Sequence, residues 1–409
     1  MSYPITPFPD SFNSKIVTHS VGDKSDMVIS NDEFQNTCKW LCSFPKITTY
    51  RVNTLKCKVE DAKYIIRKYC HDTFGHDFVN INIHHPLLTN VIIVNSRENM
   101  NLNEYEKEII IDVDCAAAVL RGAHIYAPGV MGMMSGSQIG DKVSIYADML
   151  KKCKRGLQKR LSGDGEKLFI GNGVVKMQRH QLFAENLYIS GVAIEVVETI
   201  SGCPPIGDNL LPSGWALLQN LPSGLLVAID KTPNKVAKLR ARCDQFGAAV
   251  LCFQADSTKL VATDAIQGRP VTDGPPFLSG SFDRVLLDAP CSVLGKRPQL
   301  VNRLSENEIK SYVPLQRKLF ETAVKLLKVN GTLVYSTCTI TLSENEGIVA
   351  WALNKFDCLE LVKPDLALSG PGWVGTSLTE DQIAKVQRFG PDQSVDSVGF
   401  FFACFIKKH

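Results

Sequence analysis

Short apolar segments alternate with helical segments along the second half of this 409-residue chain. Residues 282–287 and 332–335 have the composition of buried strands, and a helical segment at 315–328 lies between them and ends at Asn330-Gly331. A strand, a helix and a strand in this order imply a parallel sheet. From about residue 201 to the C-terminus, the sequence therefore predicts a doubly wound α/β domain.

A cysteine follows each of these two predicted strands. Cys291 lies three residues after Asp288, and Cys338 stands between two threonines. Because chemistry in open parallel sheets collects at the carboxyl ends of the strands, both thiols are candidates for one site. A thiolate can add to an electron-poor ring carbon, and a base and a second thiol can assist its release. The alternative is that both cysteines are small buried hydrophobic residues, the commonest fate of free cysteine.

Acidic residues end two further predicted strands. The segment 225–230 ends in Asp230 and is followed by a helix from Lys235 onward, and the segment 250–256 ends in Asp256. An acid in this place typically accepts hydrogen bonds from the ribose of a nucleotide. Each acid alone is equally consistent with a helix cap or a solvated carboxylate. Two acids at successive strand ends favour a nucleotide-like cofactor.

A small α+β domain is predicted ahead of the sheet, at residues 31–108. It contains strand-like segments at 48–54 and 91–94, with apolar residues at helical spacing over 59–69. Residues 1–30 are expected to be a flexible N-terminus. The α/β domain itself is expected to span 201–409.

Residues 109–200 predict a β-rich module, because short strand-like segments there are broken by glycine. Gly171-Asn172-Gly173 is a strong turn signal within it. Residues 151–160 carry six positive charges, among them Lys151, Lys152, Lys154 and Arg155. Such a run can neutralise RNA phosphates, although a solvated face or a nuclear import signal has the same composition.

The composition is that of a soluble globular protein. A formal net charge of +3 permits contact with a polyanion without requiring it. Thirteen cysteines without a CxxC pair argue against zinc and favour free thiols in a reducing compartment. The N-terminus does not resemble a signal peptide, and the longest apolar run, 398–406, is too short to span a bilayer. We therefore expect a monomer in the cytoplasm or nucleus, without metal or membrane partners.

Several motifs closely resemble the NOL1/NOP2/Sun (RsmB-like) family of RNA cytosine-5 methyltransferases. They are Leu287-Asp288-Ala289-Pro290-Cys291-Ser292, Tyr335-Ser336-Thr337-Cys338-Thr339 and Ser343-Glu344-Asn345-Glu346. Residues 49–54 also resemble the family's N-terminal signature. Residues 121–129 resemble a PUA module inserted in one subgroup, whose substrates include the 3′ end of certain transfer RNAs. The resemblance covers the chain from about Asn31 and implies a Rossmann-like methyltransferase domain that uses S-adenosylmethionine.

The resemblance also implies roles for the residues at the strand ends. Cys338 would be the nucleophile that attacks carbon 6 of cytosine, and Cys291 the thiol that promotes product release. Asp230 and Asp256 would hold the ribose and adenine of the cofactor, and Asp288 would contact both the cofactor and the base. The residues expected to bind the cofactor are thus Asp230, Lys235, Asp256 and Asp288.

Other carried-over roles concern RNA and the residues after Cys338. Arg121 and Tyr126 would contact RNA, joined by the basic residues at 151–155; the target is expected to be the 3′ end or acceptor stem of a transfer RNA. Ser343 and Glu346 have the spacing of a capping box, so they are expected to begin a helix and to frame the site without reacting.

One departure from the family pattern concerns the cofactor. The family places a strand, a glycine-rich loop of the form Asp-x-Cys-Ala-Ala-Pro-Gly-Gly-Lys-Thr and a helix ahead of the strand that ends at Asp230. This chain passes from Trp215 through Gly224 directly into that strand, so the domain is truncated around 222–225. The missing strand would be a central one, and its neighbours must either pair directly or leave a gap. We expect this chain to bind S-adenosylmethionine poorly and to methylate little RNA.

Two interpretations from different classes therefore remain. The first is an S-adenosylmethionine-dependent RNA cytosine-5 methyltransferase. The second is a catalytically inactive RNA-binding paralogue or splice product that keeps the cysteines but does not bind the methyl donor. A metal-binding or redox role for the thirteen cysteines is a distant third.

Overall fold

The computed structural model describes residues 3–12, 14–18, 31–54, 56–74, 88–98, 100–161, 167–183, 189–206, 224–264, 266–391 and 396–409. The chain divides into two compact units. The first unit comprises Met1–Pro9, Cys38–Ser213 and Arg297–Asn302. The second unit comprises Asp10–Thr37, Gly214–Lys296 and Arg303–His409. Residues 207–223, which immediately precede the point of truncation, lie outside the described residues.

The helices and strands are numbered in chain order. The helices are α1 Lys15–Thr18, α2 Asn31–Cys42, α3 Val59–Phe74, α4 Val113–Val119, α5 Arg179–Leu182, α6 Pro233–Phe246, α7 Glu306–Leu326, α8 Glu346–Lys355 and α9 Glu380–Ile383. The strands are β1 Ile47–Arg51, β2 Val91–Asn95, β3 Glu108–Ile111, β4 Ile125–Tyr126, β5 Val130–Met133, β6 Lys142–Asp148, β7 Lys167–Val175, β8 Val192–Thr199, β9 Val227–Asp230, β10 Leu251–Gln254, β11 Phe282–Asp288, β12 Leu327–Thr337, β13 Leu359–Val362, β14 Gln387–Phe389 and β15 Phe400–Lys407. None of the helices in these described ranges is long and apolar enough to cross a membrane.

In the first unit, β1 and β2 pair antiparallel and α3 packs beside them. Ala62, Ile66 and Cys70 recur every four residues along α3 and are fully buried, as the helical spacing predicts. They pack with Ile92 and Val94 of β2 in one hydrophobic cluster. The predicted helix and both strands of the small α+β domain are confirmed.

The six-stranded sheet of the first unit has the order β4-β8-β7-β6-β3-β5, which confirms the β-rich module. The predicted turn at Gly171-Asn172-Gly173 is wrong, because these residues lie inside β7 at irregularities of its pairing with both β6 and β8. A Cβ atom on Gly171 would lie 2.2 Å from the Glu198 carbonyl oxygen. The two glycines therefore allow neighbouring backbone to approach a bulged strand.

In the second unit, β11-β12-β15-β13 form a sheet, and β14 pairs with β15. The strands β11 and β12 are parallel, as predicted, and the terminal strand β15 is antiparallel to β12. Phe320 of α7 is fully buried beneath this sheet, with its ring centroid 5.4 Å from that of Phe405 and 5.8 Å from that of Tyr335. Burying a ring of this size stabilises a fold by roughly 1.5–3 kcal/mol.

The remaining strands of the second unit, β9 and β10, form a separate parallel pair. Within the described ranges, no hydrogen-bonded ladder joins β9 to β11. Phe277 packs edge-on against Phe282 at 5.2 Å and lies in one cluster with Val227 and Phe253, so side chains rather than a ladder connect the two sheets. Leu286 in β11 is 51% exposed, as expected of an edge strand rather than a central one. Within the described ranges, the parallel strands of this unit therefore lie in two separate sheets.

Helix α7 begins nine residues ahead of its predicted start at residue 315. Ser305 caps it, with Glu308 completing a capping box that the sequence contains. Pro314 lies inside the helix, where proline normally ends one, and this explains why the apolar pattern predicted a shorter segment. The α/β fold class is confirmed, and the predicted domain boundaries near residues 30, 108 and 200 stay predictions.

Candidate active site

The ends of β11 and β12 bring the two predicted cysteines together. The sulfur atoms of Cys291 and Cys338 lie 3.3 Å apart. Two backbone hydrogen bonds hold their loops side by side: the Ala289 N–H donates to the Ser336 carbonyl at 3.0 Å, and the Gly295 N–H donates to the Cys338 carbonyl at 3.0 Å. The two cysteines therefore form a thiol pair at one sheet edge.

The two thiols differ in their surroundings. Cys291 is buried and Cys338 is half-buried, so burial disfavours the thiolate form more strongly at Cys291. A hydrogen bond from Cys291 lowers the pKa of the Cys338 thiol, and this outweighs the opposing effects of burial and of the Asp288 charge. The same hydrogen bond and burial raise the pKa of Cys291. Cys338 is therefore the more acidic thiol and the better nucleophile of the pair.

Asp288 lies at the last position of β11, beside the thiol pair. Its carboxylate accepts a hydrogen bond from the Ser336 hydroxyl at 3.1 Å, across the parallel register that pairs Asp288 with Ser336. The side chain is otherwise exposed. The structure thus brings Asp288, Cys291 and Cys338 to one edge, as the sequence predicted.

The loop that carries Cys291 has an unusual backbone. Val293 has a φ of 57°, a region that a β-branched residue rarely adopts. Two residues later, Gly295 packs against Gly399, and a Cβ atom on Gly295 would lie 2.1 Å from the Gly399 carbonyl oxygen. Strain of this kind persists only where the surrounding structure determines the conformation.

A buried polar cluster lies behind the thiol pair, and sequence reasoning missed its role. Glu344 is fully buried and accepts hydrogen bonds from the Ser292 N–H at 2.9 Å, the Ser292 hydroxyl at 2.5 Å and the Thr341 hydroxyl at 2.8 Å. The Gln316 amide adds a further one at 3.0 Å. The signal was present in the sequence, since Ser343-Glu344-Asn345-Glu346 is a polar run directly after the predicted Cys338 strand.

The predicted capping box of Ser343 and Glu346 is wrong. Helix α8 begins at Glu346, and its N-cap residue is Asn345, which makes no side-chain capping hydrogen bond. Glu346 instead forms a fully buried ion pair with Arg388, whose Nε donates to the carboxylate at 2.7 Å. The Arg388 guanidinium also lies 3.9 Å from the Trp373 ring centroid. The partner on a distant strand could not be inferred from local spacing.

The predicted cofactor residues lie together on the separate pair of strands. Asp230 ends β9, and Asp256 follows the end of β10 by two residues. Asp230 accepts the Thr232 N–H at 2.7 Å, and Lys235 lies 3.9 Å away. Hydrogen bonds from the Thr258 hydroxyl and N–H, and then from Lys231, lower the pKa of Asp256 to about 2. Both carboxylates are therefore about two-thirds shielded but ready to accept hydrogen bonds from a nucleoside.

These residues fit only part of S-adenosylmethionine. Asp230 and Asp256 supply the acids for a ribose and an adenine, but the described residues beside β9 include no glycine-rich loop to contact the rest of the molecule. The facing edge of β11 is likewise unpaired within the described ranges. Within the described ranges, these strands therefore offer only the two acids toward a site for this cofactor.

The RNA-binding candidates lie in the first unit. Arg121 and Tyr126 line a pocket of about 320 Å³ together with Thr48 and Tyr50. Tyr126 is 46% exposed, whereas the Arg121 Nη1 atom is buried and has no hydrogen-bond partner among the described residues. Desolvation lowers the pKa of Arg121. The pocket thus presents a buried cationic group beside an accessible ring.

The basic run forms a turn after β6. The buried carboxylate of Asp148 accepts the Lys152 N–H at 3.0 Å and the Cys153 N–H at 2.7 Å, which fixes the turn. Lys151, Lys152 and Lys154 are exposed there. The guanidinium of Arg155 is instead engaged within the protein, because it donates hydrogen bonds to the carbonyls of Pro128 and Val130 at 3.1 and 3.0 Å. The lysines therefore suit phosphate contact better than the arginine.

Fold and site together define a protein of the RNA cytosine-5 methyltransferase class, with two cysteines at adjacent strand ends of a methyltransferase sheet. A family model described as 16S rRNA methyltransferase RsmB/F matches residues 215–406. The chain is 36% identical to the mouse tRNA (cytosine(72)-C(5))-methyltransferase NSUN6, covering 89% of this chain and 87% of the relative. The chain belongs to this family of RNA cytosine-5 methyltransferases.

Further comparisons extend over nearly the whole chain. The human NSUN6 protein is 35% identical, covering 97% of this chain and 95% of the relative. That alignment runs over 460 positions, more than the 409 residues of this chain, so the human protein has segments without a counterpart here. The crystal structure of NSun6 from Pyrococcus horikoshii with SFG, an S-adenosylmethionine analogue, has a TM-score of 0.66 at 23% identity. It covers 99% of this chain and 100% of its own, and it shows that the fold is shared.

Proposed function

We propose that this chain is a transfer RNA cytosine-5 methyltransferase homologue whose thiol site binds and activates a cytosine. The observation that carries the proposal is the pair of sulfur atoms 3.3 Å apart at the ends of β11 and β12, with Asp288 beside them. The family's methyl donor is S-adenosylmethionine. In this chain the residues for that donor are incomplete. We therefore expect the chain to activate a cytosine and to transfer little or no methyl group to it.

The chemistry follows from the two unequal thiols. The Cys338 thiolate adds to carbon 6 of cytosine, forming a carbon–sulfur bond as the electron pair of the 5,6 double bond moves onto the ring. Asp288 is placed to hydrogen-bond the ring nitrogen and stabilise that adduct. Cys291 keeps its proton and holds the Cys338 sulfur by a hydrogen bond. Carbon 5 of the adduct then takes up an electrophile, which is a proton from water when no methyl donor is bound and a methyl group when one is. A base removes a proton from carbon 5, the 5,6 double bond re-forms, and Cys338 leaves as a thiolate with the electron pair of the carbon–sulfur bond.

The RNA surface is proposed to lie on the first unit. Lys151, Lys152 and Lys154 would neutralise phosphates, and Arg121 and Tyr126 would contact RNA at their pocket. A transfer RNA is the expected partner because the relatives named above act on transfer RNA. A cytosine near the frayed 3′ end or acceptor stem would need little energy to leave its stack and reach Cys338. We expect the protein to act as a monomer in the cytoplasm or nucleus.

A second function is favoured by the divided sheet. With β9 and β11 not joined by a ladder in the described ranges, the chain would bind RNA without methylating it. Such a protein would occupy or shield the same RNAs that a complete relative modifies. The two functions share the RNA surface and the thiol pair, and they differ in whether Cys338 adds to the bound cytosine.

Covalent trapping tests the proposed cytosine activation without the cofactor. A transfer RNA acceptor stem that contains 5-azacytidine offers a more electrophilic carbon 6, so the Cys338 adduct should persist through a denaturing gel. We expect a shifted band for the natural chain and for Cys291→Ser, and none for Cys338→Ser. The same gel separates the two functions, because only the first predicts the adduct. A tritiated methyl donor added to unmodified RNA should leave little or no label in the RNA under either function.

Two results would contradict these proposals. Absence of the adduct in the natural chain, with RNA binding intact by filter retention, would rule out cytosine activation. An adduct of equal yield in Cys338→Ser would assign the nucleophile to another cysteine.

A further inference from the structure

Glu344 is a buried carboxylate that the proposed reaction does not use. It lies in the loop between β12 and α8 and is 0% exposed. Burial raises its pKa, and the hydrogen bonds that it accepts lower it in part. Taking an acid out of water is costly unless hydrogen bonds compensate, so a carboxylate in this place needs a structural or functional reason.

The hydrogen bonds of Glu344 reach the residues next to both thiols. Ser292, which follows Cys291, donates its N–H and its hydroxyl to the two carboxylate oxygens. The Ser292 hydroxyl also lies 2.7 Å from that of Thr339, which follows Cys338. Glu344 therefore bridges the two loops through Ser292 and Thr339.

Gln316 of α7 extends the bridge to the other side of Cys291. Its amide nitrogen donates to Glu344 and to the carbonyl of Pro290, both at 3.0 Å. The residues before and after Cys291 are therefore held by one pair of side chains. This bracing explains how Val293, at φ 57°, is kept in an unfavourable backbone conformation.

Asn345 holds the residues on both sides of Cys338, as Glu344 and Gln316 hold those on both sides of Cys291. Its side-chain oxygen accepts the Thr337 hydroxyl at 2.5 Å, and its amide nitrogen donates to the Thr339 carbonyl at 3.0 Å. The Tyr335 hydroxyl donates to the Glu344 carbonyl at 2.6 Å and fixes the backbone of the loop itself. Adjacent residues of one loop thus hold both cysteine loops.

We propose that Glu344 and Asn345 are positioning residues that set the distance and orientation of the Cys291 and Cys338 thiols. Their importance for RNA methylation rests on the proposed function, whereas their effect on the thiols does not. A loss of this bracing would let the Cys291 loop move, and the hydrogen bond between the two sulfur atoms would be the first interaction affected.

The closure of a disulfide between the two cysteines measures their alignment directly. With oxidised glutathione as the oxidant, the Cys338 thiolate attacks a glutathione sulfur, forming a mixed disulfide and releasing one glutathione. The Cys291 thiol, losing its proton, then attacks the Cys338 sulfur and releases the second. Mass spectrometry of the peptides that contain residues 291 and 338 follows the rate, and it distinguishes this pair from the other cysteines.

Glu344→Gln keeps the size of the side chain but places an amide among donors that need an acceptor. We expect disulfide closure to be at least tenfold slower in Glu344→Gln than in the natural chain. Glu346→Gln is the matched control, because Glu346 is equally buried two residues away but pairs with Arg388 instead of either cysteine loop. It should lose thermal stability and keep a closure rate within threefold of the natural chain.

Equal closure rates in Glu344→Gln and the natural chain would overturn the proposal, as would an equal slowing in both glutamine variants. If Glu344→Gln does not fold by circular dichroism, Ser292→Ala provides the test, because it removes one donor to Glu344 and leaves the carboxylate in place. Closure should then slow about threefold, and an unchanged rate would contradict the proposal. None of these results depends on RNA trapping, so failure of the proposed function would be recognised separately.

Discussion

The two halves of the second unit are built very differently. The thiol half lies on β12, which pairs with β11 on one side and β15 on the other, and its residues Leu333 and Tyr335 are fully buried. The cofactor half lies on β9 and β10, a two-stranded sheet in which the four residues of β9 are only half-buried. Isolated two-stranded sheets are marginally stable, so the cofactor half depends on packing around Phe277.

The difference shows that the two halves of this unit are held in place by separate contacts. Each half is braced within its own strands: Glu344 and Asn345 hold the cysteine loops, whereas Asp230 and Asp256 are held by the turns that follow β9 and β10. Within the described residues, the two halves therefore share none of these hydrogen bonds.

The largest effect is expected from breaking the buried ion pair of the thiol half. Arg388→Ala leaves Glu346 charged and unpaired in a fully buried position, which should lower the free energy of unfolding by about 3–5 kcal/mol. Lys328→Ala is the control, since its ion pair with Asp283 is largely exposed and should be worth less than about 1 kcal/mol. Urea denaturation measures both variants. Equal effects would mean that the thiol half is not the rigid part of this unit.

Hydrogen exchange compares the two halves in the natural chain. Within the described ranges, amides of β9 and β10 bond along one strand edge only. They should therefore exchange at least tenfold faster than amides in the middle of β12 and β15. Mass spectrometry of peptides that cover 227–230 and 332–337 gives the ratio. Comparable protection in the two peptides would contradict this expectation, because contacts other than the β9–β10 pairing would then have to protect these amides.

A smaller effect is expected on the acidity of Cys338. Because the hydrogen bond from Cys291 lowers the pKa of Cys338, its thiolate should form at lower pH than that of an ordinary cysteine. Alkylation by iodoacetamide should therefore reach half its maximal rate below pH 9, and Cys291→Ala should move that midpoint upward. Cys358, outside the site, serves as the reference peptide in the same digest. A midpoint that does not move in Cys291→Ala would rule out the hydrogen bond between the thiols.

Local patterns in the sequence predicted the parts of the fold that depend on neighbours along the chain. The strands before Cys291 and Cys338, the terminal strand and helix α3 follow from apolar spacing. The role of Glu344 did not, because its partners Ser292 and Gln316 are 52 and 28 residues away. The predicted turn at Gly171 and Gly173 was wrong for the same reason. Glycine is common both in turns and in strands that neighbouring backbone approaches closely, and only the tertiary structure distinguishes the two.

The sequence lacks the segment that the family pattern places ahead of β9, and within the described residues β9 does not pair directly with β11. That the missing segment causes this separation stays a prediction. Direct pairing would have required two strands with side chains fitted to other neighbours to adopt a new register. The exposed Leu286 and the half-buried β9 mark the two edges that remain.

Calorimetric titration with S-adenosylmethionine tests the central claim that this chain keeps the thiol half of the site and lacks the cofactor half. The natural chain should show no binding at micromolar concentrations. A variant with the strand, glycine-rich loop and helix of a relative inserted at Gly224 should bind at least a hundredfold more tightly. Micromolar binding by the natural chain would contradict the claim.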